Sequence, residues 1–333
     1  MSDPLLDIQD LLIVFPGARG EVAAVDGLDL QVLPAEVLGL VGESGCGKSV
    51  TALSVMGLVP PPGRVMAGRV LFEKQNLLTL ESAQLRVLRG ASISMVFQEP
   101  MTSLNPVFNV GSQVAELVLA HRQVSPQAAW DLTVEMFTKV GIPEPAMRAR
   151  AFPHQLSGGL RQRVMIAMAL ALSPRLVIAD EPTTALDVTI QAQILHLMQK
   201  LQQQSGASFL LITHNLAVVA QMASRVAVMY TGRQVEQAPV GQLFQEPLHP
   251  YTQGLLACLP SRAAARGQHL PTIAGIVPLL DALPPGCTFS DRCPQRFAPC
   301  QEAEPALVEV APGHRVRCYL HHRQARVIRK AAV

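Results

Sequence analysis

The residues best equipped for chemistry stand in one octapeptide, Gly42-Glu43-Ser44-Gly45-Cys46-Gly47-Lys48-Ser49. Its form is G-x-x-x-x-G-K-[ST]. It follows the apolar run Val37–Val41 and opens a helical pattern from Lys48 to Leu58, which is the context this motif needs to bind phosphate. Glycines let backbone N–H groups turn inward around an anion, and the helix N-terminus adds a favourable dipole. Gly42, Ser44, Gly45, Cys46, Gly47 and Val50 are therefore expected to line a phosphate cradle. Lys48 is expected to reach β- and γ-phosphates, and Ser49 to ligate Mg²⁺. A second candidate is Leu176-Val177-Ile178-Ala179-Asp180-Glu181, an apolar strand ending in two carboxylates. Asp180 is placed to hold Mg²⁺ through water, and Glu181 to polarise an attacking water. Strands often end in acidic residues, so this run takes its meaning from the octapeptide. A third segment, Leu156-Ser157-Gly158-Gly159-Leu160-Arg161-Gln162-Arg163, sets a serine and two glycines at a helix start. By itself it is a helix cap or a second anion site.

The elements that position these residues follow from hydrophobic patterning. Leu5 to Phe15 and Val22 to Val32 read as alternating strands, separated by the turn Pro16-Gly17-Ala18-Arg19-Gly20. Short continuous apolar runs recur at Val37–Val41, Ser94–Phe97, Leu176–Ala179, Phe209–Thr213 and Val226–Met229, as suits strands buried on both faces. Helical patterns lie between them at Val110–His121, Pro126–Val140, Leu160–Leu172 and Thr189–Gln204. This alternation predicts an α/β fold with a mostly parallel sheet, and a helical subdomain at about 105–165. After about residue 258 the pattern breaks down among Pro260, Pro271, Pro278, Pro284 and Pro285, and the chain closes on Arg323, Arg326, Arg329 and Lys330, which read as a solvated tail.

Composition narrows the class. Of 333 residues, 49% are apolar and 16% charged, which excludes long disorder. The 27 basic and 25 acidic side chains nearly balance, which argues against a protein built to coat nucleic acid. The start Met1-Ser2-Asp3-Pro4 lacks the basic region of a signal peptide. The longest apolar stretch, Val164 to Leu172, covers about half of the roughly 20 residues a membrane span needs. The expectation is a chain that stays in the cytoplasm and meets a membrane only through a partner. Four of six cysteines, Cys287, Cys293, Cys300 and Cys318, are spaced C-x5-C-x6-C-x17-C. In a reducing compartment such a cluster suggests a metal site before disulfides. Four thiolates hold Zn²⁺ or an iron–sulfur cluster, and spacing alone leaves both open. His314 reads as a solvated surface residue, Cys258 as a small apolar one, and Cys46 as a tolerated loop residue.

The octapeptide, the Leu156–Leu160 segment and the Asp180-Glu181 strand occur in the order found in ATP-binding cassette (ABC) ATPases. The resemblance covers roughly residues 5 to 258. It implies a P-loop cassette with a parallel-sheet core, an antiparallel β subdomain and a helical subdomain, using ATP and Mg²⁺. Gln98 resembles the Q-loop glutamine, a γ-phosphate sensor that acts through Mg²⁺ or water. Thr184-Ala185-Leu186-Asp187 resembles the D-loop, and His214 the switch histidine that contacts γ-phosphate. Phe15 stands where the family places an aromatic on adenine. Ser157, Gly158 and Gly159 match the signature that touches ATP held by a facing cassette. Leu160 replaces the usual glutamine there, which reads as a subfamily mark. With one P-loop in the chain, a second cassette is implied, by family habit a paralogue.

Further resemblances narrow the group. Gln98-Glu99-Pro100-Met101-Thr102-Ser103-Leu104-Asn105-Pro106 and His249-Pro250-Tyr251-Thr252 resemble ATPases serving peptide and nickel importers. The pattern from Gly286-Cys287 to Cys300 and Cys318 resembles the tail of dipeptide/oligopeptide importer ATPases, some of which carry a [4Fe-4S] cluster. The resemblance implies that Cys287, Cys293, Cys300 and Cys318 ligate such a cluster, with Zn²⁺ the rival, in a structural role. It implies a cassette over residues 1–258 and a small, irregular, metal-bound extension over 259–333. The implied activity is ATP hydrolysis at the cytoplasmic face of the cell membrane, energising uptake of di- or oligopeptides. The implied partners are two transmembrane permease subunits and, indirectly, an extracytoplasmic solute-binding protein, with no nucleic acid. The rival readings are an importer ATPase for nickel or another non-peptide solute, and a soluble ABC ATPase not coupled to transport.

Overall fold

The computed structural model describes residues 3–18, 20–99, 103–184, 186–259 and 272–322. Met1, Ser2, Arg19, Pro100, Met101, Thr102, Ala185, Pro260, Pro271, Arg323, Arg326, Arg329 and Lys330 lie outside the described residues. In chain order the strands are β1 (Leu6–Gly17), β2 (Gly20–Val32), β3 (Val37–Val41), β4 (Arg64–Phe72), β5 (Gln75–Asn76), β6 (Ile93–Val96), β7 (Leu176–Asp180), β8 (Ser208–Thr213), β9 (Arg225–Tyr230), β10 (Arg233–Pro239), β11 (Val308–Ala311) and β12 (His314–Val316). The chain divides into two compact units. One comprises Leu6–Gln31, Val37–Leu78 and Thr213–Val333, and the other Met1–Leu5, Val32–Glu36 and Thr79–Ile212.

The first unit carries the glycine-rich octapeptide. An antiparallel sheet in the order β2-β1-β4-β5 buries Leu6, Ile8, Leu11 and Ile13 on one side of β1. A second set of strands runs β11-β12-β10-β9-β3. β3 lies parallel to β9, with Leu38 opposite Arg225 and Val41 opposite Val228. Every residue of β3 is buried, so its side chains need apolar cover on both faces, as the continuous apolar run predicted. β3 ends at Val41, directly before the glycine-rich octapeptide, and the helix that follows spans Lys48–Val55.

The C-terminal extension corrects two expectations. It is not wholly irregular, because β11 and β12 form an antiparallel pair and β12 adds to β10, with Glu236 opposite Val316. His314 is not a surface residue: it is 1% exposed, and its Nε2 lies 2.8 Å from Oε1 of Glu236, itself fully buried. A buried carboxylate must be partnered. Glu236 also accepts from the backbone N–H groups of Leu248 (2.8 Å) and His249 (3.0 Å). Burial works to raise the Glu236 carboxyl, but the bonds from His314 and these amides hold it below the usual carboxylate range. This pair draws the extension's histidine inward.

The second unit carries the paired carboxylates. β6, β7 and β8 are parallel, with Ser94 opposite Val177 and Val177 opposite Phe209. β7 is buried along its whole length and ends on Asp180. Within the stretch expected to be helical lie the helices Val110–His121, Pro126–Lys139 and Pro145–Arg148, followed by Gly158–Leu170. Sequence caps mark their starts: Asn109 accepts from Ser112 N at 2.7 Å, and Ser125 accepts from Ala128 N with Pro126 in the first turn. The helix expected from Leu160 starts two residues earlier, because Ser157 is its cap. Among the described residues no helix is long and apolar enough to cross a membrane.

Candidate functional site

The P-loop of the first unit is closed by backbone contacts that only glycine allows. Gly47 has φ +97°, and a Cβ there would lie 2.4 Å from the carbonyl oxygen of Ala24. A Cβ on Gly42 would lie 2.2 Å from the carbonyl oxygen of Met229. The loop is thus pressed against two neighbouring segments, while Ser44 and Gly45 face outward. Lys48 is 5% exposed and turns back over the loop. Its Nζ donates to the carbonyl oxygens of Gly42 (2.8 Å) and Glu43 (2.9 Å), with Sγ of Cys46 at 3.5 Å. An ammonium has three donors, and a thiol is the weakest of these acceptors. A phosphate oxygen would displace the Cys46 contact at least cost, leaving the two carbonyls to aim the charge. Cys46 is therefore part of the loop's packing, and burial pushes its thiol up.

Other expected residues of this unit sit as follows. Ser49 and Val50 are half-buried in the first turn of the helix, where backbone N–H groups lack intrahelical acceptors. Phe15 is half-buried near the end of β1, its ring so close to Gly63 that a Cβ there would lie 2.4 Å from it. His214 is exposed just beyond β8, ahead of the helix Leu216–Met222 that Asn215 caps.

In the second unit the carboxylate after β7 is held on one oxygen by two donors. Gln98 Nε2 donates to Glu181 Oε2 at 3.1 Å, and Thr184 Oγ1 donates to the same oxygen at 2.8 Å. Glu181 has φ +47°, a left-handed conformation that a non-glycine residue keeps only where its surroundings enforce it. Its N–H donates to the carbonyl of Ile212 at 2.8 Å, tying the residue to the end of β8. Asp180 is 4% exposed at the strand end. Asp187 caps the helix Val188–Ser205 by accepting from Ile190 N at 2.9 Å. Gly159 lies against that same Ile190, since a Cβ would come 2.8 Å from its Cγ2. The Ser157-Gly158-Gly159 segment and the Asp187 turn are therefore neighbours.

Comparison with known proteins decides the family. Residues 25–184 match the ABC transporter family, and residues 235–300 match the oligopeptide/dipeptide transporter C-terminal region. The probable peptide ABC transporter ATP-binding protein y4tR of Sinorhizobium fredii is 50% identical over 319 residues, covering 96% of this chain and 95% of that protein. The dipeptide transport ATP-binding protein DppD of Bacillus subtilis is 47% identical over 324 residues, covering 97% of this chain and 96% of that protein. The chain belongs to the ATP-binding subunits of ABC transporters. It is an ABC ATPase, and its fold agrees: the ATP-binding cassette MJ0796, solved as a dimer in a post-hydrolysis state with ADP and Pi, superposes with a TM-score of 0.64 at 25% identity, over 71% of this chain and 98% of that one.

The cysteines of this ABC subunit bear on its expected metal. Cys287, Cys293, Cys300 and Cys318 are free thiols that line one small cavity together with His249 and Phe289. Burial pushes Cys287 up to about 12 and Cys318 up to about 11, and raises Cys293 as well. Among the described residues no group of three or more His, Cys, Asp or Glu side chains is arranged to hold a metal ion. The metal-bound extension expected from the sequence is thus, as it stands, four thiols around a shared space. Burial favours the neutral thiol at Cys287, Cys293 and Cys318, and a thiol becomes a ligand only as a metal displaces its proton.

Sequence reasoning missed what holds the P-loop from outside. The Glu43 N–H donates to Tyr251 Oη at 2.9 Å, and its carboxylate pairs with Arg292. Tyr251, Tyr230 and Phe289 form an aromatic cluster beneath this pair, with ring centroids 4.7 to 5.4 Å apart. Nothing in local spacing links Glu43 to an arginine 249 residues away.

Gly47→Ala is expected to cost about 1–3 kcal/mol of stability from backbone strain, with the Ala24 contact adding to it. A lowered melting temperature together with weakened MgATP binding is the expected result. Wild-type values in both would show that this contact does not close the cradle.

Proposed function

We propose that the chain is the ATP-hydrolysing subunit of an importer that brings di- or oligopeptides across the cell membrane. The observation that carries this reading is the joining, in one chain, of an ABC cassette to the oligopeptide/dipeptide transporter C-terminal region, at about half identity with peptide-transport ATP-binding proteins over nearly their full length. In this reading Gly42, Ser44, Gly45, Cys46, Gly47, Lys48 and Val50 hold the phosphates, and Phe15 stacks on the adenine. Ser49, Asp180 and Gln98 serve Mg²⁺. Glu181 takes the proton from the attacking water, His214 contacts the γ-phosphate, and Gln98 orients Glu181 through the 3.1 Å bond already described. Ser157, Gly158 and Gly159, beside the Asp187 turn, contact ATP of a facing cassette.

The same reading divides the chain into a cassette over 1–258 and an extension over 259–333. It places the chain at the cytoplasmic face of the cell membrane, docked on two permease subunits and paired with a second cassette, with a binding protein delivering solute from outside. The four thiols around one cavity support a [4Fe-4S] cluster as the extension's staple, with Zn²⁺ the alternative. A small extension of this kind gains from such a staple because it has little core of its own.

Glu181→Gln is expected to keep MgATP binding while lowering steady-state hydrolysis by about a hundredfold or more. Undiminished hydrolysis would remove Glu181 from the role of base. The transport reading is tested by anaerobic capture of the full chain from native membranes in mild detergent, with companion chains identified and iron and zinc counted. Two polytopic subunits, a second cassette and about four irons per chain, lost in Cys293→Ser, are expected. A complex without membrane subunits would overturn the importer, and a metal-free chain would overturn the cluster.

A further inference from the structure

The C-terminal extension grips the phosphate-binding loop at Glu43. Arg292 Nη1 and Nη2 donate to Oε2 and Oε1 of Glu43 at 2.7 and 3.1 Å, a bidentate fork. The guanidinium is anchored from the other side as well. Its Nε donates to the carbonyl of Ala274 at 3.1 Å, and its centre lies 5.8 and 5.9 Å from the ring centroids of Tyr230 and Phe289. The Arg292 side chain is 5% exposed and that of Glu43 is 30% exposed. The arginine is therefore the fixed member of the pair, and the loop is what it holds.

Glu43 is engaged at every polar group. Its N–H goes to Tyr251 Oη at 2.9 Å, its carboxylate to Arg292, and its carbonyl accepts from Lys48 Nζ at 2.9 Å. A shift of Glu43 thus moves an acceptor that aims the Lys48 ammonium. There is also a matter of charge. A carboxylate in a loop that receives a polyphosphate repels its ligand, and a buried guanidinium on that carboxylate removes the repulsion.

We propose that Arg292 is a positioning residue for nucleotide: from the C-terminal extension it neutralises Glu43 and fixes the loop so that Lys48 meets the phosphates, and the extension thereby sets the affinity for ATP. This rests on the reading that the loop 42–49 binds ATP. By linkage, whatever loosens the extension weakens ATP binding, and bound ATP firms the extension by the same factor.

The test compares MgATP binding and steady-state hydrolysis of the full chain in wild type, Arg292→Ala, Arg292→Lys and the double variant Glu43→Gln/Arg292→Ala. Arg292→Ala is expected to raise the dissociation constant and KM about tenfold, from loss of a charge-assisted pair, with kcat changed less than about twofold. The double variant is expected to recover most of that affinity, because the uncompensated carboxylate is gone, although its melting temperature stays low with the lost packing on Tyr230 and Phe289. Arg292→Lys keeps the charge without the fork and is expected to weaken binding about threefold, which covers the case in which Arg292→Ala fails to fold. Wild-type affinity in both Arg292→Ala and Arg292→Lys would overturn the proposal. So would a double variant as weak as Arg292→Ala, since that is what a merely structural arginine produces. A wild-type chain that binds no MgATP would instead overturn the nucleotide reading beneath it.

Discussion

A buried lysine held by two backbone carbonyls is the constraint on which the glycine-rich loop depends. At the start of a helix and 5% exposed, Lys48 donates from Nζ to the carbonyls of Gly42 and Glu43, which stand where water would otherwise accept. That arrangement requires the loop to fold back tightly. The tight fold in turn requires glycine where the carbonyls of Ala24 and Met229 close in. β3, apolar on both faces, delivers the loop to this place, and β9 beside it supplies Met229. The chemistry of one side chain thus dictates glycine positions, strand burial and the choice of neighbours.

The paired carboxylates follow the same logic with opposite sign. Glu181 stands at the end of an apolar strand in a conformation that costs energy, held by its N–H to Ile212 and by donors from Gln98 and Thr184. Strain of this kind persists where the surroundings enforce it, and here the enforcing groups are themselves sequence-marked residues. The Ser157 and Asp187 caps use side-chain oxygens on helix N–H groups, so the segments expected to meet nucleotide across a cassette pair are also the ones that start two helices.

Much of this was legible in the sequence, because the signals were local. The strand Val37–Val41, the helices Val110–His121 and Pro126–Lys139, and the loop between Gly42 and Ser49 are each marked by periodicity, a cap or a glycine pattern within about ten residues. What was not legible depends on distant pairing. His314 looked like a surface residue because nothing near it in sequence is acidic and buried, yet Glu236 lies opposite β12 and takes it inside. The β11–β12 pair was hidden by a proline-punctuated approach that erased periodicity. Arg292 carries no local mark of its role, since its partner lies 249 residues away. Local patterns fixed where each site residue stands on its own element, and tertiary contacts determined what each one touches.

The most direct test of this account is calorimetric titration of the full chain with MgATP, wild type against Lys48→Ala. The account predicts one MgATP per chain, with a dissociation constant that rises about a hundredfold in the variant, as loss of a charged hydrogen-bonding group implies. Equal affinity in the two proteins would mean that phosphate binds elsewhere, and that the buried ammonium is structural.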